Sequence, residues 1–543
     1  MKINEWEIWY SYSTYFIVGE INLEKVAYNM ASTGFAECVF LRDGLTYWRK
    51  KDGFQKGYTT INLRKDKKLS IIEAHTFNKE KIEATKYSLE TWGIASQFRF
   101  CELRIFSEYN FLPPPYLKAY LGLSRLISKD FGIVEFYPVI TLYDTGVLLV
   151  EFRIMSPKKP TDLERFIYDY ENLYQIEFEE IECPPSISQL APTAYHYYQF
   201  YPDSLLKRIK FSFNQILHNV AIEDLTFEKK DSDFSYKLAP LPSSLDEDES
   251  TLSFAQTLFS IVGYLITKPE TGLKFLTKGQ LFPPEIGNYW IGRPHIHIIK
   301  HENQKDISSK NIETNKEFLV KILNRTSGEL NKINDIPLPP DTRLFNDYSS
   351  FITKAVTLWV WSKKGIDAQE KWKDPNSGHL IYENQVKTEL LDYGYMIYKC
   401  LLERLNNVKD TLEIIQERKN IYDLQNRMQN VSQFGEIYDQ LNTGWEAYGL
   451  PKLQLMIDKK ILILEAESKI RETRKSQKIA ESLSVLFGLI AIPTFALEVL
   501  KPIWEILDIW HPNNINLAKL FYISVTFILV LFFIHFIYKK KED

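Results

Sequence analysis

Cysteine is scarce in this chain. Its 543 residues hold four, Cys38, Cys101, Cys183 and Cys400. They stand far apart and form no C-x-x-C pair. That argues against a disulfide framework or a cysteine-built zinc site and predicts free, buried thiols in a reducing compartment. The two common phosphate-binding signatures are also missing. Without G-x-x-x-x-G-K-[ST] or G-x-G-x-x-G, nothing points to a P-loop NTPase or a Rossmann dehydrogenase. A large charge excess is lacking too: the formal net charge is −4, so a nucleic-acid polymer is not expected as partner. The opening MKINEWEIWYSYSTYF carries acids and no clean apolar core, unlike a secretory leader. The bulk of the chain is therefore expected to start and stay in the cytosol. No catalytic set emerges from these residues, and no enzyme is predicted.

Aromatic residues, by contrast, are abundant at 14%. The first ~160 residues read as mixed and strand-rich, with EIWYSYSTYFIVGEI and QFRFCELRIF as aromatic, β-branched runs. In FYPVITLYDTGVLLVEFRI two apolar runs meet at Asp144-Thr145-Gly146, a hairpin with glycine in its turn. The same tripeptide occurs in aspartic proteases, but no second copy exists to share a proton. PTDLERFIYDYENLYQI reads as a helix started by Pro160 and Thr161. PDSLLKRIKFSFNQILHNV has helical spacing. LSFAQTLFSIVGYLITK reads as a buried element, while SLDEDES and KHENQKDISSKNIETNKE suit surface loops or a linker. From about Leu380 the chain turns helical. Ile397, Leu401, Leu405, Val408, Leu412 and Ile415 alternate by four and three, a seam that wants a neighbouring helix.

After Pro451 neither glycine nor proline recurs until Gly488. A helix over 452–500 would be roughly 73 Å long. Its first part is charged and its last part, LSVLFGLIAIPTFAL, is apolar. Two stretches, 479–500 and 517–538, approach the ~20 residues that cross a bilayer. Arg471, Arg474, Lys475 and Lys478 precede the first, and Lys539, Lys540 and Lys541 follow the second. These flanks place both ends in the cytoplasm and an external loop at 501–516. On the first stretch one helical stripe reads Glu481, Ser484, Gly488, Ala491, Phe495 and Glu498. Small residues between two acids suit the lining of a cation path, with Phe495 as a closing ring. The same stripe also suits ordinary helix packing with acids at the membrane boundaries.

The sequence of a large N-terminal region, a helical pair, a long stalk, two terminal spans and a lysine run resembles the CorA-like cation-channel superfamily. The likeness rests on LSVLFGLIAIPTFALEVL, LFYISVTFILVLFFIHFIYKKKED and the stalk before them, covering about 380–543. The family's Gly-Met-Asn signature is absent: that place reads EVLKPIWE. The size of the N-terminal part is similar to CorA-like effectors associated with type III CRISPR systems. The resemblance implies a homo-pentameric antiviral effector in the inner membrane, a messenger-gated ion channel or a membrane-disrupting protein, multi-pass, with both termini cytoplasmic. It further implies a nucleotide messenger, such as an S-adenosylmethionine–AMP conjugate, as ligand, and it leaves a divalent cation open as permeant ion. The expected organisation is an α+β sensing region over 1–380, with a subdomain boundary near 160–190. A helical hairpin over 381–450 and a stalk over 451–478 follow. The spans at 479–500 and 517–538 form a transmembrane hairpin before a basic tail at 539–543. Two rival readings are a constitutive magnesium transporter and a membrane-anchored enzyme or binding module without a pore.

One further cluster carries chemistry. In YWIGRPHIHIIKH a strand would place His295 and His297 on one side. With Arg293 they could hold a phosphate, and Tyr289 and Trp290 could stack on a base. Ordinary strand histidines and core aromatics remain the alternative, and no third ligand at a recognisable spacing supports a metal. The basic stretches YWRKKDGFQKGY and LRKDKK could hold an anionic ligand, and they read equally as exposed hairpin loops.

Overall fold

In the computed structural model the described residues are 1–17, 20–63, 70–77, 81–106, 114–128, 132–199, 226–230, 235–242, 250–268, 283–330, 335–371, 379–408, 411–429 and 435–495, with isolated positions beyond 495. Chain contacts divide the protein into two compact units, 1–407 with 416–458, and 408–415 with 459–543.

The first unit is organised by β1 (Lys2–Ile17), a strand long enough to pair with β9 (Val147–Met155) on one side and β15 (Trp290–His301) on the other. Both pairings are antiparallel. Outward from β9 the sheet continues through β8 (Gly132–Tyr143), β6 (Tyr116–Tyr120), β2 (Cys38–Leu41), β3 (Leu45–Arg49), β4 (Phe54–Leu63) and β5 (Ser70–Thr76). Outward from β15 come β17 (Thr357–Trp361), which runs parallel to it, and β16 (Tyr348–Ile352). The first half of β8 leaves this sheet to pair with β7 (Ser124–Ser128), which leads to β11 (Glu180–Cys183), β13 (Ser235–Pro240) and β12 (Phe227–Lys230). The short strands β10 (Thr161–Asp162) and β14 (Glu285–Ile286) pair with the two ends of β1. The β8–β9 turn is the expected one: Gly146 has φ +95°, a backbone region that glycine enters without a Cβ clash.

Alternation along the strands separates two faces. Ile8, Tyr10 and Tyr12 of β1, Val150 and Phe152 of β9, and Ile296 and Ile298 of β15 are buried in the apolar core. That face packs under α4 (Thr251–Thr267), whose Phe254 stacks on Phe152 at 5.6 Å. Ser250 and Ser253 cap the helix start reciprocally, satisfying backbone N–H groups that helix ends leave open. Helices α1 (Leu23–Ser32), α3 (Pro185–Gln199), α5 (Ser308–Thr314), α6 (Lys316–Leu323) and α7 (Lys363–Lys371) complete the surroundings. The opposite face carries Glu7, Ser11, Lys118, Glu151, Arg293, His295 and His297, all of them buried. It lies under α8 (His379–Asn407) and α2 (Lys86–Ile105).

Several expectations need correction. QFRFCELRIF is the end of α2, not a strand. Thr85 caps that helix, and Ser88, Thr91, Ala95, Phe98, Glu102 and Ile105 recur by three and four on its buried face. The stretch expected as a loop at 300–317 contains α5 and the start of α6. Asn311 anchors it by donating to the Trp361 carbonyl at 3.3 Å. The segment after Pro160 is helical but wound as a π turn, Phe166–Glu171. The seam from Ile397 to Ile415 is not one helix: α8 ends at Asn407, and α9 (Thr411–Gln429) begins afresh. The helical stretch expected at 202–220 lies outside the described residues, as do most of SLDEDES and LRKDKK.

The largest correction concerns the C-terminal region. Among the described residues no helix is long and apolar enough to cross a membrane. Helix α11 (Leu450–Phe495) follows α10 (Gly435–Tyr448) and is long, about 69 Å at ~1.5 Å per residue. Glu481 stands inside it, though, and only residues 482–495 follow before it ends. These include Ser482, Ser484 and Thr494 and fall short of the ~20 apolar residues a span needs. The finding overturns the transmembrane hairpin as part of the fold, the ion channel and the multi-pass inner-membrane location. The second expected span, 517–538, and the basic tail lie outside the described residues apart from isolated positions.

Candidate functional site

Helix α8 is the unusual element. Every residue from 381 to 394 is buried, although the stretch includes Glu383, Asn384, Gln385, Lys387, Glu389 and Asp392. A helix buried all round is ordinarily apolar all round. Here Gln385, Glu389 and Asp392 recur at steps of four and three, so they share one helical stripe. That stripe meets the polar face of the sheet.

Asp392 is its most connected member. Ser11 of β1 donates its hydroxyl to Asp392 Oδ2 at 2.7 Å, and Tyr448, the last residue of α10, donates to Oδ1 at 2.9 Å. His295 Nε2 lies 3.2 Å from Oδ2, and Arg293 Nη1 lies 3.7 Å from Oδ1. The Arg293 guanidinium also sits 4.0 Å from the centroid of the Tyr448 ring and donates to the Thr353 carbonyl. One carboxylate thus ties together β1, β15, α8 and the end of α10. Burial pushes the Asp392 carboxyl up. The His295 contact, Arg293 and Ser11 outweigh that and hold it below the usual carboxylate range. Burial also lowers Arg293 to about 9, with Asp392 pulling it back. It keeps His295 below its ordinary value despite Asp392, so the imidazole is neutral and the buried ion pair is Arg293–Asp392.

Further along the layer, His297 stacks on Trp359 at 4.4 Å and 10° between planes. Among the described residues neither of its ring nitrogens has a hydrogen-bond partner. Burial, with His295, Lys387 and Arg153 adding to it, holds His297 well below the usual imidazole range. Arg153 of β9 forms a two-point pair with Glu7 of β1, at 2.8 and 3.2 Å, and Trp9 donates to the same carboxylate at 2.7 Å. Glu151 accepts from Gln385, and Glu389 pairs with Lys118 of β6. Burial first, and the neighbouring Glu389 next, push the Glu151 carboxyl well above the usual range.

The predicted ligand-binding residues divide between two environments. Trp290 and Arg293 converge on Tyr448, with the Trp290 ring 5.3 Å from that of Tyr448 and 4.0 Å from Tyr395, while His295 meets Asp392. His297 faces Trp359 instead, and the Tyr289 side chain is 44% exposed. Arg293, His295 and His297 are almost fully buried, and none lines the cavities described at this face. Glu481, Ser484, Gly488, Ala491 and Phe495 lie on α11, with Glu498 beyond its end. Glu481, Ser484, Ala491 and Glu498 are exposed, and Ser484 donates to the Ala480 carbonyl at 2.8 Å. No group of metal-ligating side chains occurs among the described residues, and the four cysteines are free and buried.

Sequence reasoning missed Asp392, Ser11, Tyr448 and the Glu151–Glu389 pair. A signal existed: Glu7, Ser11 and Ser13 alternate with the large side chains of β1, marking a polar face on a strand buried from both sides. Compared with family models, with curated proteins and with solved structures, the chain matches none.

Proposed function

We propose that the first unit is a ligand-responsive sensor, and that its buried ionisable layer passes occupancy from the sheet to the helices that follow. The ligand class carried forward is a small nucleotide. The observation that supports a relay is the placement of Asp392: it holds Tyr448, and Tyr448 is followed by Gly449, at φ +76°, and then by the first residue of α11. Any shift of β1 or β15 that moves Ser11 or Arg293 alters what holds the start of a 46-residue helix. Buried charge networks favour discrete arrangements over gradual ones, because a half-satisfied pair is costly.

The same geometry speaks against hydrolytic chemistry at this cluster. Ser11 donates to the aspartate rather than to His295, so the two do not form a Ser–His nucleophile pair. Asp392, His295 and Ser11 are all at least 97% buried.

Hydrogen exchange on the full chain tests the reading, with ATP, cyclic AMP, S-adenosylmethionine and the four nucleosides as probes. A sensor changes protection over 440–458 with at least one probe, and Asp392→Asn abolishes that change. Unchanged exchange there with a probe that binds contradicts the relay.

A further inference from the structure

Helix α11 has a buried side and an open one. Ile457, Ile461, Leu464 and Ser468 are buried. Leu455, Leu462, Ile479, Leu483 and Leu486 are between 48% and 61% exposed. Single exposed apolar residues are ordinary, but these five share one frame. From Leu455 to Leu486 they keep to alternating steps of three and four, the a and d positions of a heptad seam. The seam positions between them are Asp458, Glu465, Lys469, Glu472 and Ser476. We propose that this seam pairs with the same seam of a second copy of the chain, running antiparallel about a two-fold axis beside residues 470 and 471.

Charge decides the direction. In a parallel pair each seam residue meets its own copy. Asp458, Glu465, Lys469 and Glu472 would then form four like-charge layers inside the interface, and like charges set against each other are costly. In the antiparallel pair Leu455 meets Leu486 of the second copy, Leu462 meets Ile479, and Lys469 meets Glu472. Glu465 falls beside Ser476, and Asp458 beside Leu483. Each layer occurs twice by symmetry. Apolar side chains close both ends, opposite charges meet in the middle, and no layer sets like charges together. A slip of one heptad either way spoils this, because Leu462 then faces Glu472 or Lys469 faces Ile479. The charged middle therefore fixes register as well as direction.

A second observation asks for a partner here. Residues 469–484 are all exposed. Helices in folded proteins draw most of their stability from packing rather than from propensity, and a second copy supplies a packing face. Such a pair runs opposite to the ring of parallel copies that the CorA-like resemblance implies. It also stands independently of the sensor reading.

Cysteine cross-linking of the full chain tests the arrangement, since the four natural cysteines are buried. Leu462→Cys and Ile479→Cys chains, mixed under mild oxidation, should join as disulfide-linked dimers. Neither variant should do so alone, because in the antiparallel pair the two copies of position 462 lie about 25 Å apart, against the ~7 Å limit between Cα atoms of a disulfide. Sedimentation equilibrium of the parent chain should show a reversible dimer. Lys469→Glu should weaken it at least about tenfold. Adding Glu472→Lys to that variant should restore it, at unchanged helix content by circular dichroism. The proposal is overturned by a parent chain that stays monomeric at about 100 μM, whether or not it binds lipid vesicles. It is overturned equally if Leu462→Cys alone cross-links as readily as the mixture, which marks a parallel pair, or if the dimer ignores Lys469→Glu. Exchange at 440–458 tests the sensor reading separately, so either can fail without the other.

Discussion

Tyr448 donates its hydroxyl to Asp392 across 2.9 Å, one residue before the glycine that turns the chain into its longest described helix. The same carboxylate accepts from Ser11, 381 residues away in sequence. This shared acceptor joins β1, α8 and the end of α10. Its removal has a definite sign.

Asp392→Asn leaves the Arg293 guanidinium, 3% exposed at its side chain, without a matching charge. Breaking a buried pair from one side costs about 3–5 kcal/mol. Tyr448→Phe removes one hydrogen bond to a charged group, about 1.5–3 kcal/mol, and leaves the Arg293–ring contact in place. Chemical denaturation should rank the two variants in that order. A milder effect from Asp392→Asn than from Tyr448→Phe contradicts the assignment of the ion pair.

The two buried histidines set a pH dependence. Both are held below the ordinary value of 6.5, so in the folded chain they stay neutral while the unfolded chain takes up protons. Their contribution is fully present above about pH 6.5 and is lost as pH falls below it, at up to about 1.4 kcal/mol per pH unit for each. His297→Phe keeps a flat ring on Trp359 and removes one titrating group. Stability measured from pH 7 to pH 5 should therefore fall less steeply in this variant, by about one proton's worth. An unchanged slope would show that His297 is protonated in the folded state.

The pair Glu151 and Glu389 should respond unequally. Burial and Glu389 both favour the neutral form of Glu151, so Glu151→Gln should change stability by under about 1 kcal/mol. Glu389→Gln strips the partner from Lys118, whose side chain is 3% exposed, and should cost about 3–5 kcal/mol. Thermal denaturation of the two variants distinguishes them, and equal losses would place the proton elsewhere.

Much of the sheet was legible because alternation survives in sequence: β1, β8 and β9 read as strands, and Gly146 marks their hairpin. α4 read as a buried element from its apolar run. α2 was misread because Phe98, Phe100 and Cys101 favour strands locally, whereas the six-residue stripe from Ser88 to Ile105 is visible only over the whole helix. The candidate site was half legible. Arg293 and His295 stood out as a cluster on one strand. Asp392 did not, because a charged residue on a polar helix ordinarily faces water and nothing local reveals a second polar surface waiting for it. At the other end, LSVLFGLIAIPTFAL suggested a span, but apolar composition alone does not fix where a helix ends.

The most direct test of the account is a double-mutant cycle between Ser11→Ala and Tyr448→Phe, read by equilibrium denaturation of the full chain. The two side chains contact opposite oxygens of Asp392, so any coupling runs through that carboxylate. The account predicts non-additivity of about 0.5–3 kcal/mol. Additivity to within about 0.3 kcal/mol would contradict it, because sheet and helix would then hold Asp392 independently.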